Sequence, residues 1–435
     1  MKELFNPDAR IHRAYFRLAG SLLLTIGILV TLLLPGCSER ERKNPFDPGS
    51  HFKVPIDLSL SPVGTQVTLT WSVTGLEDYA GFRIYRAVDD STQMELFQEL
   101  PASVSTYTDT SVQFYHWYYY RVSVLGHGVE SDPSPMQKTY PGPGTPYILS
   151  RYGYSIYQLS YDLLHTLMRA NTFLATKNWA WNPGAGIIWL ATAQFRFVTR
   201  FRLEVGQEDL FLEKPFQRPE DLTFNADKSH LYVLDTRKRL IYTLVQGQVT
   251  DSIPIPQGDY LEIRTGWQNT LWLLGKTHLR VFNESGDSLF AFPFDFGQEG
   301  ADLCFRNNHM YLLTTNAENQ TSILFTFTEN QTTMNFQELS GTFFIVRQPA
   351  AESFFWLGEY MGEGNYRAVK LSEDGQRLLE LPSVRSLKDI RIHPVDGSII
   401  LVRRYEDSIS LYDKNGQFIS TRTQIYDPIR AYIAE

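Results

Sequence analysis

Four carboxylates recur along the second half of the chain at intervals that are multiples of about forty residues: Asp221, Glu262, Asp302 and Asp389. Asn178, a residue near Phe343 and Arg430 fall in the same slot of neighbouring stretches. If the backbone gathers these positions at one end of a channel, the resulting ring of carboxylates could hold a cation or an amine-bearing ligand. The structural alternative is that each polar side chain caps its own strand or bonds the neighbouring sheet. Other chemistry is sparse. His230 and His309 both stand two residues before a recurring aromatic, which marks a repeat position rather than a metal pair. Cys304, near Asp302, reads as a buried free thiol. Trp179, Trp181, Trp189, Trp272 and Trp356 read as packing between sheets, with an exposed sugar-binding face as the other use. The sequence holds no His-Glu-x-x-His, phosphate-binding glycine loop, Gly-x-Ser-x-Gly or dinucleotide glycine pattern. On that ground the expectation is a protein that is not an enzyme, with no catalytic residue, resident metal or cofactor.

The slots belong to a repeat. Tyr147, Trp189, Tyr232, Trp272, Tyr311, Trp356 and Ile400 follow one another at spacings of 42, 43, 40, 39, 45 and 44 residues. Glu220 to Asp235 reads as a strand, a polar turn and an apolar strand with a central aromatic. Leu240 to Leu244 and a stretch around Ser252 to Ile255 supply a third and a fourth strand. Four strands on a period of 40 to 45 residues is the signature of a β-propeller blade, whose first strand lines the centre. The stretch opening at Tyr147 lacks an inner strand, and Asp427 to Ile433 is an inner-type strand with no successors. Pairing the two completes a blade and removes the open edges an unclosed ring would expose. The count is six continuous blades and one split blade, seven in all, with six as the alternative. In rhythm this region, residues 147–435, resembles the NHL and YVTN-like propellers; it lacks a regular Gly-His…Trp-Asp signature.

At the other end, Lys2, Arg10, Arg13 and Arg17 precede a charge-free run from Leu18 to Leu34, and then come Pro35, Gly36 and Cys37. A basic start, an apolar run and a small residue before a cleavage point form an export signal. Leu34, Gly36 and Cys37 resemble the lipobox of bacterial lipoproteins, which implies removal of residues 1–36 and acylation (palmitate among the chains) of Cys37. Ser38 does not resemble the Asp that retains such proteins at the inner membrane, so the resemblance implies the outer membrane. The remaining chain holds 36 basic against 46 acidic groups. Anionic lipid repels such a surface, so attachment falls to the acyl chains. The same balance argues against nucleic acid, which is bound through basic surfaces. Residues 37–52 are charged and then rich in Pro and Gly, as an extended tether is.

Residues 53–140 contain short alternating strands, among them Gln66 to Val73, Gly81 to Ala87 and Tyr118 to Val124. With Trp71, Tyr85-Arg86 and the Tyr-x-Tyr-Arg-Val run from Tyr118, this segment resembles a fibronectin type III domain, which implies a β-sandwich acting as spacer or binding module. Tyr118 is the candidate for the corner tyrosine of that fold. Pro141 to Pro146 is a stiff linker. The fold expectation is therefore all-β, a sandwich followed by a propeller. The functional expectation is an envelope lipoprotein whose propeller loops bind a protein or glycan partner. A propeller lyase, hydrolase or quinone-dependent dehydrogenase with its site at the channel mouth is one alternative, and an envelope assembly factor is another.

Overall fold

The computed structural model describes residues 54–434 apart from 77, 127–128, 193–195, 307–308, 330–333 and 349–352. Residues 1–36, read above as an export signal, Cys37 and residues 38–52, read as part of a tether, lie outside the described residues. The described chain is all-β, with two short 3₁₀ turns at Pro183–Ala185 and Trp267–Asn269.

The first unit consists of two facing sheets. One holds Ile56–Val63, Gln66–Val73 and Thr106–Asp109; the other holds Glu95–Pro101, Gly81–Val88, Tyr118–Gly126 and Val129–Glu130, with Gln137–Thr139 also on Tyr118–Gly126. Alternation fixes which face is buried: Val67, Leu69 and Trp71 point inward from one strand and Tyr118, Tyr120 and Val122 from another. Trp71 meets Phe82 edge-on at 5.3 Å between centroids. The Tyr118 hydroxyl accepts the Gln113 N–H at 2.7 Å. Beside it the Tyr120 hydroxyl donates to the buried Asp109 carboxylate at 2.8 Å, which also receives Arg86. The sandwich rests on the next unit through Tyr140, whose hydroxyl donates to Asp162 at 3.0 Å, and through Trp117 and Tyr140 packed on His165.

Seven antiparallel sheets follow, six of four strands and one of five. Their innermost strands are, in order, Pro428–Ala434, Asn178–Asn182, Pro219–Phe224, Tyr260–Thr265, Glu299–Arg306, Thr342–Arg347 and Leu387–Ile392. The first sheet joins the two ends of the region: Pro428–Ala434 pairs with Thr145–Ser150, placing Ala431 opposite Ile148 and Tyr432 opposite Tyr147. Each recurring aromatic, and Ile400, stands on the second strand of its sheet. There it feeds one of seven apolar clusters, each filling the gap between two successive sheets. Trp272 and Trp356 are among the largest fully buried side chains. Tyr147, Trp181 and Phe201 join the first sheet to the second, and Ile148, Ile400 and Ile409 join it to the seventh, so the succession of sheets closes on itself. Close approach is needed in places. A Cβ on Gly300 would sit 2.3 Å from the Gly275 carbonyl oxygen, so only glycine fits there.

One irregularity recurs. In six of the seven innermost strands the pairing register slips at the same place, at Glu220, Leu261, Ala301, Phe344, Lys388 and Ile429. Each is a β-bulge, an extra residue that bends its strand and re-aims the side chains around it.

Candidate functional site

The bulges sort the channel-facing side chains into layers. The bulged residues stand at the end where the innermost strands begin. The next layer holds Asn178, Asp221, Glu262, Asp302, Asp389 and Arg430, the residues singled out in the sequence, with Ile345 in the slot read as near Phe343. Two residues further on, and so on the same face of each strand, come Arg264, Cys304, Arg347, Arg391 and Tyr432. These arginines were not read as part of the site, although Glu262-Ile263-Arg264 and Asp389-Ile390-Arg391 carry the period-two signal that places acid and base on one face.

All four carboxylates reach across to the backbone of the next sheet. Asp221 accepts the Ile263 N–H at 3.0 Å, Glu262 the Leu303 N–H at 3.3 Å, Asp302 the Val346 N–H at 3.0 Å and Asp389 the Ala431 N–H at 3.3 Å. Asn178 donates its side-chain N–H to Asp221 in the same sense. Hydrogen bonds to a charged partner contribute about 1.5–3 kcal/mol each, so the layer acts as a set of latches between sheets. The arginines fill the remaining valences. Arg264 binds both Asp221, at 3.0 Å, and Glu262. Arg347 bridges Asp302 and Asp389, the latter at 3.0 Å, and Arg391 binds Asp389 at 2.9 Å. Burial alone would raise Asp389, but the guanidinium groups of Arg391, Arg347 and Arg430 and the Ala431 N–H outweigh it and hold the carboxyl down at about 2. Burial depresses Arg391 to about 10 against the pull of Asp389. The carboxylates are thus matched by guanidinium groups and engaged in hydrogen bonds, which leaves no open acidic ring facing a cation. Among the described residues no group of three or more His, Cys, Asp and Glu side chains is placed to hold a metal ion.

The unmatched charge at this end is positive. A cavity of about 630 Å³ opens there, bordered by Phe344, Tyr360, Tyr366, Tyr405, Lys388 and Arg430 among others. Among the described residues, neither the Lys388 ammonium nor the Arg430 guanidinium has a hydrogen-bonded or ion-paired carboxylate. Arg404, also on the wall, is paired with Asp427. Burial and then the fields of Arg430 and Arg404 press the Lys388 pKa down. Lys177, the residue before Asn178, is likewise lowered to about 8 by burial, Arg218 and Arg151, although Glu220 contacts it. Burial is the larger cause of both shifts, and neighbouring cations add to it. Cys304 faces a second cavity of about 300 Å³ at the opposite end, with Arg347, Arg391 and Tyr432, and burial pushes its thiol up.

No protein-family model matches the sequence, and no curated protein matches it. Solved structures do. The chain is similar to a protein from Lactobacillus plantarum, at 11% identity and a TM-score of 0.54, over 67% of this chain and 100% of that one. A putative 6-phosphogluconolactonase from Bacteroides fragilis aligns at 11% identity and a TM-score of 0.53, over 67% and 98% of the two chains. The dihydro-heme d1 dehydrogenase NirN aligns at 12% identity and a TM-score of 0.51, over 66% and 74%. The fold is a β-propeller. At these identities the likeness carries the fold alone. It nevertheless corrects one expectation: propellers of this shape include a dehydrogenase and a putative lactonase, so the reading of this chain as a non-enzyme does not stand. The physical reason is that a propeller assembles its channel from strands about forty residues apart, so the lack of a short linear motif says nothing about what its side chains do together.

Proposed function

We propose that this chain is a lipoprotein of the bacterial outer membrane, held by acyl chains on Cys37, in which a fibronectin type III-like sandwich over 53–140 carries a seven-bladed propeller over 147–435 that recognises an anionic partner at its channel mouth. The strand order of the two sandwich sheets and the Tyr118 hydroxyl on the Gln113 N–H support the sandwich assignment. The seven inter-sheet clusters and the strand contributed by the C-terminal residues support the blade count. The observation that carries the functional reading is the pair of cations, Lys388 and Arg430, that have no hydrogen-bonded or ion-paired carboxylate among the described residues and that stand beside a cavity of about 630 Å³ in a chain whose net charge is −8. A general surplus of cations would make this an ordinary basic surface; here it is local, and it reverses the sign of the whole molecule.

Calorimetric titration with citrate at low salt tests the site. The unmodified protein binds, and Lys388→Glu binds at least about tenfold more weakly, a loss of about 1.4 kcal/mol, with thermal unfolding unchanged. Equal affinity in the two proteins refutes the reading. The anchor is tested separately: labelled palmitate enters the native chain in cells and does not enter Cys37→Ala.

A further inference from the structure

The mouth cavity does more than attract charge. Part of its wall is aromatic: Phe344 packs edge-on against Tyr366 at 5.1 Å, and Tyr366 packs on Tyr360 at 5.2 Å. Tyr360 and Tyr405 are exposed. Tyr360, Tyr366 and Tyr405 line the same cavity. None of the three donates to or accepts from another described side chain or backbone group. Ser386 and Thr342 add two more hydroxyls to the lining.

We propose that the ligand of this mouth is a sugar ring bearing a carboxylate, of the kind found at the acidic end of an envelope glycan. The inference rests on the mouth being the recognition site and adds the class of molecule it selects. Aromatic faces accept the apolar face of a pyranose. The carboxylate reaches Lys388 and Arg430, where the planar guanidinium matches it in two parallel N–H donations. The ring hydroxyls meet the tyrosine, serine and threonine hydroxyls. That last set of groups decides between ligand types. A flat aromatic acid satisfies the cations and the apolar faces but offers no partner to the hydroxyls of the lining, and each one it covers without pairing is costly. A neutral sugar satisfies the hydroxyls and leaves two cations without a counter-charge. The volume falls within the range that encloses small organic ligands, roughly 300–1,000 Å³, with room for more than one ring.

The test uses a disaccharide ending in glucuronate, its neutral counterpart ending in glucose, benzoate, and citrate as the plain anion. The glucuronate disaccharide binds the full chain at least about tenfold more tightly than either the neutral disaccharide or benzoate. In Tyr360→Phe/Tyr405→Phe, which keeps both rings and removes both hydroxyls, affinity for the glucuronate disaccharide falls about fivefold or more while affinity for citrate is unchanged. Benzoate or the neutral disaccharide binding as well as the acidic one overturns the inference, and so does undiminished glucuronate binding in the phenylalanine variant. If citrate binds and no sugar acid does, this inference fails and the anionic mouth stands. If neither binds, both fail.

Discussion

Asp389 offers the sharpest test of the idea that the carboxylate layer holds the propeller together. Its side chain is fully buried and accepts from Arg347 at 3.0 Å, Arg391 at 2.9 Å, Ile390 N–H at 3.1 Å and, on the closing strand, Ala431 N–H at 3.3 Å. Asp389→Asn keeps the shape, removes the charge and turns one acceptor into a donor facing other donors. Breaking a buried ion pair from one side costs about 3–5 kcal/mol. Arg347 keeps Asp302, and the Arg391 side chain retains 29% exposure, so the lower end, about 3 kcal/mol, is expected. The pH dependence gives an independent check. The carboxyl is depressed from an ordinary 3.8 to about 2 in the folded chain. A depressed carboxylate contributes stability that is whole above the unfolded value and is lost as the pH falls through the folded one, here between about 4 and 2, and the contribution is about 2 kcal/mol. Urea unfolding followed by tryptophan fluorescence reports mainly on the propeller, because only Trp71 and Trp117 of the 8 tryptophans lie in the sandwich. The gap between native protein and variant should be about 3 kcal/mol at pH 6 and narrow steadily toward pH 2.5. A gap under about 1 kcal/mol at pH 6, or one that does not narrow with acid, refutes the latch.

Two further outcomes follow from the same packing. Deleting residues 428–435 removes the strand paired with Thr145–Ser150 and strips Asp389 of the Ala431 N–H, so the truncated chain should lose cooperative unfolding and self-associate through the freed edge, as size-exclusion chromatography and a thermal scan would show. In the sandwich, Tyr120→Phe takes the 2.8 Å donor from buried Asp109 and should cost about 1–3 kcal/mol; a change below about 0.5 kcal/mol in chemical unfolding would mean that Arg86 and Ser111 satisfy that carboxylate unaided.

Repetition was the legible part of the sequence. The aromatics from Tyr147 to Trp356 share one location, the second strand of a sheet, because that strand, unlike the innermost and outermost ones, is flanked on both sides within its sheet and is pressed by sheets on both faces, and a large apolar side chain belongs there. The same logic made the unpaired Asp427 to Ile433 stretch readable as the strand that the first sheet lacked. The six channel residues were located by counting within the period, and the structure places all of them in one layer. Their sign was misleading. Acids were counted because they occupy the slot that the period marks, while Arg264 and Arg347 sit two residues later and come from a pairing that period-two reading of each inner strand would have exposed. Lys388 was beyond reach for a different reason. Next to Asp389 on an ideal strand it would face away from the channel, and only the bulge between Leu387 and Asp389 brings it to the mouth.

The bulge separates two jobs that a regular strand would force onto one layer. The side chains after it hold sheet to sheet through carboxylate, backbone N–H and guanidinium, and a substitution there unlatches the propeller. The bulged residues accept no backbone N–H of the next sheet, and their side chains differ: Leu261, Ala301, Phe344 and Ile429 are apolar, Glu220 is acidic and Lys388 is basic. Ile429 packs in the gap between the first and second sheets and Glu220 pairs with Lys177, but Leu261, Phe344 and Lys388 are free of such roles, so they are where selectivity can be set. In this chain the choice of Phe344 and Lys388 on adjacent sheets, with Arg430 from the closing strand lining the same cavity, puts an aromatic residue and two cations without an ion-paired carboxylate on one wall. Converting Lys388 to an apolar residue should therefore alter what the mouth accepts and leave unfolding untouched, whereas converting its neighbour Asp389 should do the reverse.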